Sequence, residues 1–111
     1  MTTLPRAILI TGCSSGIGHH CAHALRARGW RVFAACRKRE DCDRLIAEGF
    51  ESPQLDYSDP ASIETALAEV LAATGGRLDA LFNNGAHACP GAVEDLPPGA
   101  LREIFEVNVI G

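Results

Sequence analysis

The glycine-rich stretch TGCSSGIG, residues 11–18, constrains this chain more than any other feature of its sequence. It lies between the apolar residues 7–10 and a segment of helical periodicity, so its three glycines fall in a turn between a strand and a helix. Such a turn brings free backbone N–H groups and the positive end of a helix dipole together. The stretch therefore predicts an anion site, although its spacing is neither G-x-G-x-x-G nor a P-loop.

Each position of this stretch has a physical role in binding a nucleotide. Gly12 permits the sharp turn, Gly16 lets a pyrophosphate approach the backbone, and Gly18 lets the helix lie close to the strand. Ser14 and Ser15 add hydroxyl groups. A plain glycine-rich turn is the alternative, and the position directly after a first strand favours the nucleotide.

Strands and helices alternate along the rest of the chain. Apolar runs predict strands at residues 6–11, 32–36, 50–55 and 78–82. Helical patterns and their stop and start signals predict helices at residues 16–28 and 39–48, from the Asp59-Pro60 start to Gly75-Gly76, and from Pro98 onward. Pro53 weakens the third strand and indicates a place near a sheet edge. The pattern predicts an α/β fold with a doubly wound parallel sheet of about four strands.

Composition limits the classes of protein and partner. The 111 residues fit one domain, and 47% apolar with 22% charged residues is typical of a packed globular protein. A net charge of -4, with no basic run beyond residues 37–39, argues against nucleic acid and anionic membrane surfaces as partners. We found no apolar run long enough to span a bilayer and no secretion signal, and therefore expect a cytoplasmic protein.

Cysteines and histidines were considered as metal ligands. The five cysteines form no C-x-x-C pair and are expected to be thiols that fill the core. His19 and His23 have the spacing of two metal ligands on a helix, but His20 stands where the H-E-x-x-H motif has its general base. No acidic third ligand is evident nearby in the sequence. We therefore expect solvated surface histidines and no metal site.

The end of the second strand carries cations where NAD-binding proteins carry an acidic residue. About 20 residues after the glycines, a carboxylate would bind the ribose diol of NAD. Arg37, Lys38 and Arg39 stand there instead. This favours a 2'-phosphate and hence NADP(H), with Arg37 as the main candidate, and it argues against S-adenosylmethionine. A solvated, basic helix start is the alternative.

Four landmarks together resemble the short-chain dehydrogenase/reductase family in its NADP-preferring form. They are the glycine stretch, Asp56 after the third strand, Asn83-Asn84-Gly85-Ala86 after the fourth, and Asn108 in the last helix. The resemblance implies a Rossmann-type fold and hydride transfer between nicotinamide and a carbonyl or alcohol. The cofactor-binding residues it implies are Gly12, Ser14, Ser15, Gly16, Ile17, Gly18, Arg37, Asp56, Asn83, Asn84 and Gly85.

The resemblance also assigns individual roles. Asp56 would bind the adenine amino group, whereas a plain turn carboxylate is the alternative. Asn83 and Asn84 would tie the fourth strand to the first and face the ribose, whereas an asparagine-rich turn is the alternative. The family usually has Asn-Asn-Ala-Gly, so Gly85-Ala86 reverses the last pair.

Asn108 is the candidate catalytic residue. With residues 101, 104, 105 and 109 it falls on one apolar helix stripe, where a buried amide needs hydrogen-bond partners. The matching asparagine of the family holds a water in a proton relay to the catalytic lysine. A helix-stop asparagine shortly before Gly111 is the alternative.

The tyrosine and lysine that the family uses for catalysis are missing from this sequence. The only tyrosine is Tyr57, its i+4 neighbour is Ala61, and the only lysine is Lys38. We therefore interpret residues 1–111 as the NADP-binding Rossmann portion of a reductase, truncated before the catalytic pair and inactive on its own. Its fourth strand would be an exposed apolar edge. In the full-length enzyme, the expected partners are the dinucleotide, a small carbonyl or alcohol substrate and possible further copies of the chain. The alternative is a non-catalytic dinucleotide-binding or sensing module.

Overall fold

A computed structural model describes residues 4–111 of the protein. The main elements, in chain order, are β1 (Ala7–Ile10), α1 (Gly16–Ala27), β2 (Arg31–Ala34), α2 (Arg39–Ala47), α3 (Pro60–Thr74), β3 (Ala80–Phe82) and α4 (Pro98–Phe105). A short 3-10 turn, Val93–Asp95, precedes α4, and a π-helical segment, Glu106–Ile110, continues it. Among the described residues, no helix is both long and apolar enough to cross a membrane.

The three strands form a parallel sheet in the order β2-β1-β3. Successive side chains of β1 point to opposite faces. Ile8 and Ile10 pack in one apolar cluster with residues of α1 and α2, whereas Ala7 and Leu9 pack in a second cluster with residues of α3. Helices therefore cover both faces of the sheet, as the unbroken apolar run at residues 32–36 predicted. This confirms the doubly wound α/β architecture.

The prediction of a regular strand at residues 50–55 is wrong. The segment makes only two isolated bridges to the β2 side of the sheet, Phe33 with Glu51 and Cys36 with Gln54. Pro53 lies between these bridges and has no N–H to donate to a ladder, so the pairing is interrupted there. The sheet consequently has three strands, and the segment follows its β2 edge, where the proline indicated that it belongs.

The signals for the start and end of α3 are confirmed. The Asp59 side chain accepts a hydrogen bond from the Ala61 backbone N–H at 3.2 Å, and Pro60 is the first helical residue. Gly75 ends the helix with a φ of 72°, a left-handed conformation that glycine adopts without a steric penalty.

The spacing of Ile17, Cys21 and Leu25 in α1, and of Ile63, Leu67, Val70 and Leu71 in α3, predicts inward apolar stripes. Val70 is buried as predicted, but each helix turns one large residue of its stripe outward. Gly18 and Ala22 are the buried residues of α1, whereas Ile17 is 68% exposed. In α3, Ala66 is buried and Leu67 is exposed. Small side chains allow a helix to lie close to a sheet, and this close approach rotates the larger neighbours outward. The predicted inward positions of Ile17 and Leu67 were therefore wrong.

The cysteines behave as the sequence predicted. Cys13, Cys36 and Cys42 are buried free thiols, and Cys21 and Cys89 are half-buried. Burial raises the pKa of Cys13 to about 12 and that of Cys36 to about 11. These two thiols are therefore protonated at neutral pH and serve as small apolar side chains in the core.

Apolar residues of β3 and α4 face solvent in the described chain. β3 lies at the edge of the sheet, and Leu81 is 54% exposed. This agrees with the expected exposed edge at residues 78–82. Leu101, Phe105 and Val109 are also exposed, so the apolar stripe of the last helix does not face the core of the described residues.

We predict that Gly18→Ala destabilises the protein by about 1–3 kcal/mol, the usual cost of overpacking. An added Cβ would lie 2.5 Å from the Gly12 carbonyl oxygen and 2.6 Å from Asn84 Nδ2. Gly99→Ala is the matched control, because its Cβ would meet nothing within 4 Å in the first turn of α4. Urea denaturation should show a loss of stability for the first variant only, and equal stability of both would contradict the close packing at Gly18.

Candidate functional site

The turn between β1 and α1 presents backbone rather than side chains. Gly12 has a φ of 66° and Gly16 a φ of 62°, both in the left-handed region. Ser15 is the N-cap of α1, yet within the described chain its side chain caps no helix N–H, and the first turn holds no acidic residue. The N–H groups at the start of α1 and the positive end of its dipole are therefore available to an anion.

The ends of β1 and β3 are locked together by the Thr11 side chain. Thr11 is 2% exposed, and its hydroxyl oxygen accepts hydrogen bonds from the backbone N–H groups of Asn84 at 3.0 Å and Gly85 at 2.9 Å. The Asn84 side-chain amide donates to the carbonyl oxygens of Thr11 and Gly12 at 3.1 and 3.2 Å. The glycine turn is thereby fixed against the segment that follows β3.

The two asparagines do not share the role that the resemblance implied. Asn84 ties β3 to β1, whereas the exposed Asn83 accepts a hydrogen bond from the Tyr57 hydroxyl at 3.2 Å. The Tyr57 hydroxyl also bonds the Thr11 hydroxyl. A Cβ on Gly85 would lie 2.9 Å from the Tyr57 ring, so the glycine of the reversed Gly85-Ala86 pair has a packing reason.

An open cavity of about 310 Å³ lies at the carboxyl end of the sheet. This volume falls within the range of about 300–1,000 Å³ that is common for small-molecule sites. Five of the sequence-predicted residues line it, namely Gly12, Ser14, Arg37, Asp56 and Gly85. The lining does not include the remaining predicted residues, Ser15, Gly16, Ile17, Gly18, Asn83, Asn84 and Asn108.

The structure adds lining residues that the sequence reasoning missed. Tyr57 and Ser58 follow Asp56 directly, so their position after a strand end was a usable signal. Asp41 also lines the cavity, and so does His87, for which the sequence left open a place at the pocket wall or in a plain surface loop. His87 reaches it through the fold of the loop after β3, for which the sequence offered no periodic signal.

The cavity contains both a cationic and an anionic side. Arg37 and Lys38 are exposed at the end of β2, and among the described residues the Arg37 guanidinium has no hydrogen-bond partner. The neighbouring Arg39 instead donates to the Gln54 side chain at 3.1 Å. Arg37 is therefore available to an anionic group in the cavity.

Asp56 is one of three acidic residues that line the cavity, together with Asp41 and Glu103. The Ser58 hydroxyl donates to its carboxylate at 2.7 Å and the Ser58 backbone N–H at 2.9 Å. The hydroxyl bond is the main cause that holds the pKa of Asp56 below its usual range, with further contributions from the backbone N–H and Arg37. Asp56 is therefore an ionised hydrogen-bond acceptor at neutral pH.

Asn108 lies in the π-helical segment and is exposed, so the expectation of a buried amide was wrong. Its side chain nevertheless has two partners on one residue. Oδ1 accepts from the His87 backbone N–H at 2.8 Å, and Nδ2 donates to the His87 carbonyl at 2.8 Å. The π-helical segment continues past Asn108 to Ile110, so Asn108 is not the helix stop. It anchors the loop that borders the cavity.

An acidic residue does accompany His19 and His23, contrary to the sequence expectation. Glu48, the C-cap of α2, accepts hydrogen bonds from both Nε2 atoms through one carboxylate oxygen. The bond from His23 and then that from His19 hold the pKa of Glu48 below its usual range. The packing of α2 on α1 brings Glu48 there, although it lies 25 residues from His23 in the sequence.

The sequence model of the family described as short chain dehydrogenase matches residues 6–111. The chain therefore belongs to the short-chain dehydrogenase/reductase family. The uncharacterized oxidoreductase YbbO of Escherichia coli (strain K12) is 35% identical over 108 residues, which are 97% of this chain and 40% of that protein. The NADPH-dependent 1-acyldihydroxyacetone phosphate reductase of Schizosaccharomyces pombe is 34% identical over 94% of this chain and 36% of its own length.

Solved structures agree in fold. The crystal structure of a short-chain dehydrogenase from Streptomyces avermitilis matches with a TM-score of 0.85 and 37% identity. The match covers 98% of this chain and 41% of that one. The chain thus spans about two fifths of the length of the relatives it matches.

We predict that Thr11→Val destabilises the protein by about 1–3 kcal/mol, the cost of one unsatisfied buried polar group. Valine has the shape of threonine but offers no oxygen, so the Gly85 backbone N–H loses its acceptor, whereas the Asn84 N–H keeps the Phe82 carbonyl oxygen at 3.0 Å. Thr11→Ser retains the oxygen and is the matched control. Urea denaturation should rank the serine variant well above the valine variant, and equal stabilities would refute the role of the hydroxyl.

We predict that Ser58→Ala raises the pKa of Asp56 toward the ordinary aspartate value of about 3.9, because the main stabilising hydrogen bond is lost. Ionised Asp56 stabilises the fold above the unfolded-state pKa, and this contribution is lost as the pH falls through the lower folded-state pKa. Carboxyl carbon NMR titration measures the shift. Ser62→Ala is the control, because the Ser62 hydroxyl contacts the Asp56 main chain and not its carboxylate. An unchanged Asp56 pKa in Ser58→Ala would contradict the assignment.

Proposed function

We propose that residues 1–111 form the NADP(H)-binding portion of a short-chain reductase that transfers hydride between nicotinamide and a carbonyl or alcohol. One observation carries this proposal. The cavity is lined both by the glycine turn before α1 and by the guanidinium of Arg37 after β2, which has no hydrogen-bond partner within residues 4–111. A dinucleotide with a 2'-phosphate has two anionic groups that match these two features.

The pyrophosphate belongs at the glycine turn. Gly12 and Gly16 in left-handed conformations leave the backbone accessible, and the first N–H groups of α1 are free of side-chain caps within the described chain. Ser14, Ser15 and Ile17 complete this phosphate-binding segment, and Gly18 allows the close packing that holds it. The bound dinucleotide would supply or accept the hydride.

The adenosine end belongs between β2 and the segment after residue 55. Arg37 binds the 2'-phosphate, and the ionised Asp56 accepts a hydrogen bond from the adenine amino group. The Schizosaccharomyces pombe relative is an NADPH-dependent reductase, which supports this choice of cofactor. Asn83, Asn84 and Gly85 border the ribose.

We propose that Asn108 holds a water molecule in the proton path of the reaction. The paired hydrogen bonds to His87 fix its side chain while leaving one N–H and one acceptor position free. The water would occupy these free positions. Asn108 acts through that water, so it is a positioning residue unless substrate reaches it.

A non-catalytic dinucleotide-binding module is the second candidate. One observation favours it: the Tyr57 hydroxyl is engaged by Thr11 and Asn83, and the residue four positions later is Ala61. Tyr57 is therefore placed as a structural residue. The 111-residue chain should bind NADPH yet oxidise none with carbonyl substrates, whereas turnover by the mass-verified chain would overturn this view.

We predict that Arg37→Gln weakens NADPH binding by about tenfold or more, because a charge-assisted hydrogen bond is worth about 1.5–3 kcal/mol. NADH has no 2'-phosphate, so its affinity should stay unchanged. Arg39→Gln is the matched control, since Arg39 is bound to Gln54 and does not line the cavity. Calorimetric titration with both dinucleotides measures the effect. Equal losses for both variants, or equal NADPH and NADH affinities of the wild type, would reject the assignment of Arg37.

A further inference from the structure

A second cluster of chemically reactive side chains lies outside the candidate cavity. His19 and His23 are one turn apart on α1, and Glu48 ends α2. The Nε2 atoms of the two histidines lie 3.0 and 2.8 Å from the same Glu48 oxygen, Oε1. The three atoms all lie within 4.8 Å of one another, and none of the three residues lines the cavity.

These three groups form a common donor set for a divalent transition metal. Two imidazole nitrogens and one carboxylate oxygen bind Zn²⁺ at about 2.0–2.2 Å, which puts tetrahedral ligand atoms about 3.3 Å apart. The observed nitrogen–oxygen distances therefore need to open by only a few tenths of an ångström. All three side chains are half-buried, so an ion can enter from solvent, and a water can complete the coordination.

The backbone around the cluster is held in place without the metal. Arg26 donates to the Glu48 carbonyl at 2.9 Å and stacks on the Phe50 ring, and the His23 ring packs edge-on against the same phenylalanine. The histidine rings also pack against each other with centroids 4.7 Å apart. The ligands are thus brought together before any ion binds, which lowers the ordering cost of binding.

Arg26 opposes any cation bound at the cluster, so the ligand atoms must favour the ion strongly. Its guanidinium lies 3.5 Å from His23 Nδ1, and a positive charge at this distance opposes a bound cation. Ions that gain strongly from imidazole nitrogen, such as Zn²⁺, overcome this opposition better than Mg²⁺, which prefers oxygen ligands.

We propose that His19, His23 and Glu48 bind one Zn²⁺ or a similar late first-row divalent cation, with water as the fourth ligand. The ion would clamp α1 to the end of α2. Because α1 begins in the glycine turn, the clamp would stabilise the helix that presents the phosphate-binding N–H groups. The proposal does not depend on the identity of the dinucleotide.

The test is calorimetric titration of the purified, reduced protein with ZnCl₂ and, separately, with MgCl₂. We expect one Zn²⁺ per chain and no Mg²⁺ binding. His19→Gln and His23→Gln should each weaken Zn²⁺ binding by at least tenfold, and Glu48→Gln should also weaken it. His20→Gln is the matched control, because His20 is exposed and outside the cluster. Wild-type Zn²⁺ affinity in His19→Gln and His23→Gln, as binding by cysteine thiols would produce, would overturn the proposal.

A second measurement needs no variant and remains decisive where a variant fails to fold. Diethyl pyrocarbonate modifies accessible histidines, and fragment mass spectrometry distinguishes the neighbours His19 and His20. Added Zn²⁺ should protect His19 and His23 and leave His20 reactive. Equal reactivity of all three histidines with and without Zn²⁺ would refute the site.

Discussion

The buried hydroxyl of Thr11 is the interaction on which the rest of the site depends. It is the acceptor for two consecutive backbone N–H groups, those of Asn84 and Gly85, at the point where the chain leaves β3. Around it, Gly12 and Gly18 leave no room for a Cβ, so the turn, the helix and the segment after β3 are in direct backbone contact. The Thr11 hydroxyl and the two glycines, Gly12 and Gly18, thus place the start of α1 relative to the sheet.

The parallel sheet converts this local packing into a binding surface. β1 is buried on both faces and lies between β2 and β3, so the carboxyl ends of all three strands lie at one edge. The chain must leave each strand there, which brings Gly12, Arg37 and Gly85 to one cavity from distant parts of the sequence. Sheets of this kind bind ligands outside the carboxyl ends of their strands. The glycine turn at Gly12 and the Arg37 guanidinium therefore meet because of the topology.

The sequence was most informative where a local rule determines the structure. Periodicity located β1 and the helices, and Asp59, Pro60 and Gly75 marked the ends of α3. The sequence was uninformative where the position of a side chain depends on how helices and strands pack against one another. The outward position of Ile17 follows from the approach of α1 to the sheet, which spacing along one helix does not report. The contact of Glu48 with His23 likewise arises only when α2 docks on α1.

The two ends of the cavity differ in how they are held. The glycine turn is fixed by Thr11 through short backbone contacts, whereas His87 is held by the side chain of Asn108, which lies in the segment after α4. The glycine turn therefore depends on the sheet, and the loop after β3 depends on α4 and the segment that continues it, where Phe105 is exposed in the described chain. Under the proposed function, this division separates cofactor affinity from the geometry of the proton path. A substitution that shifts α4 would then alter the position of the water at Asn108 and leave the affinity for the pyrophosphate unchanged.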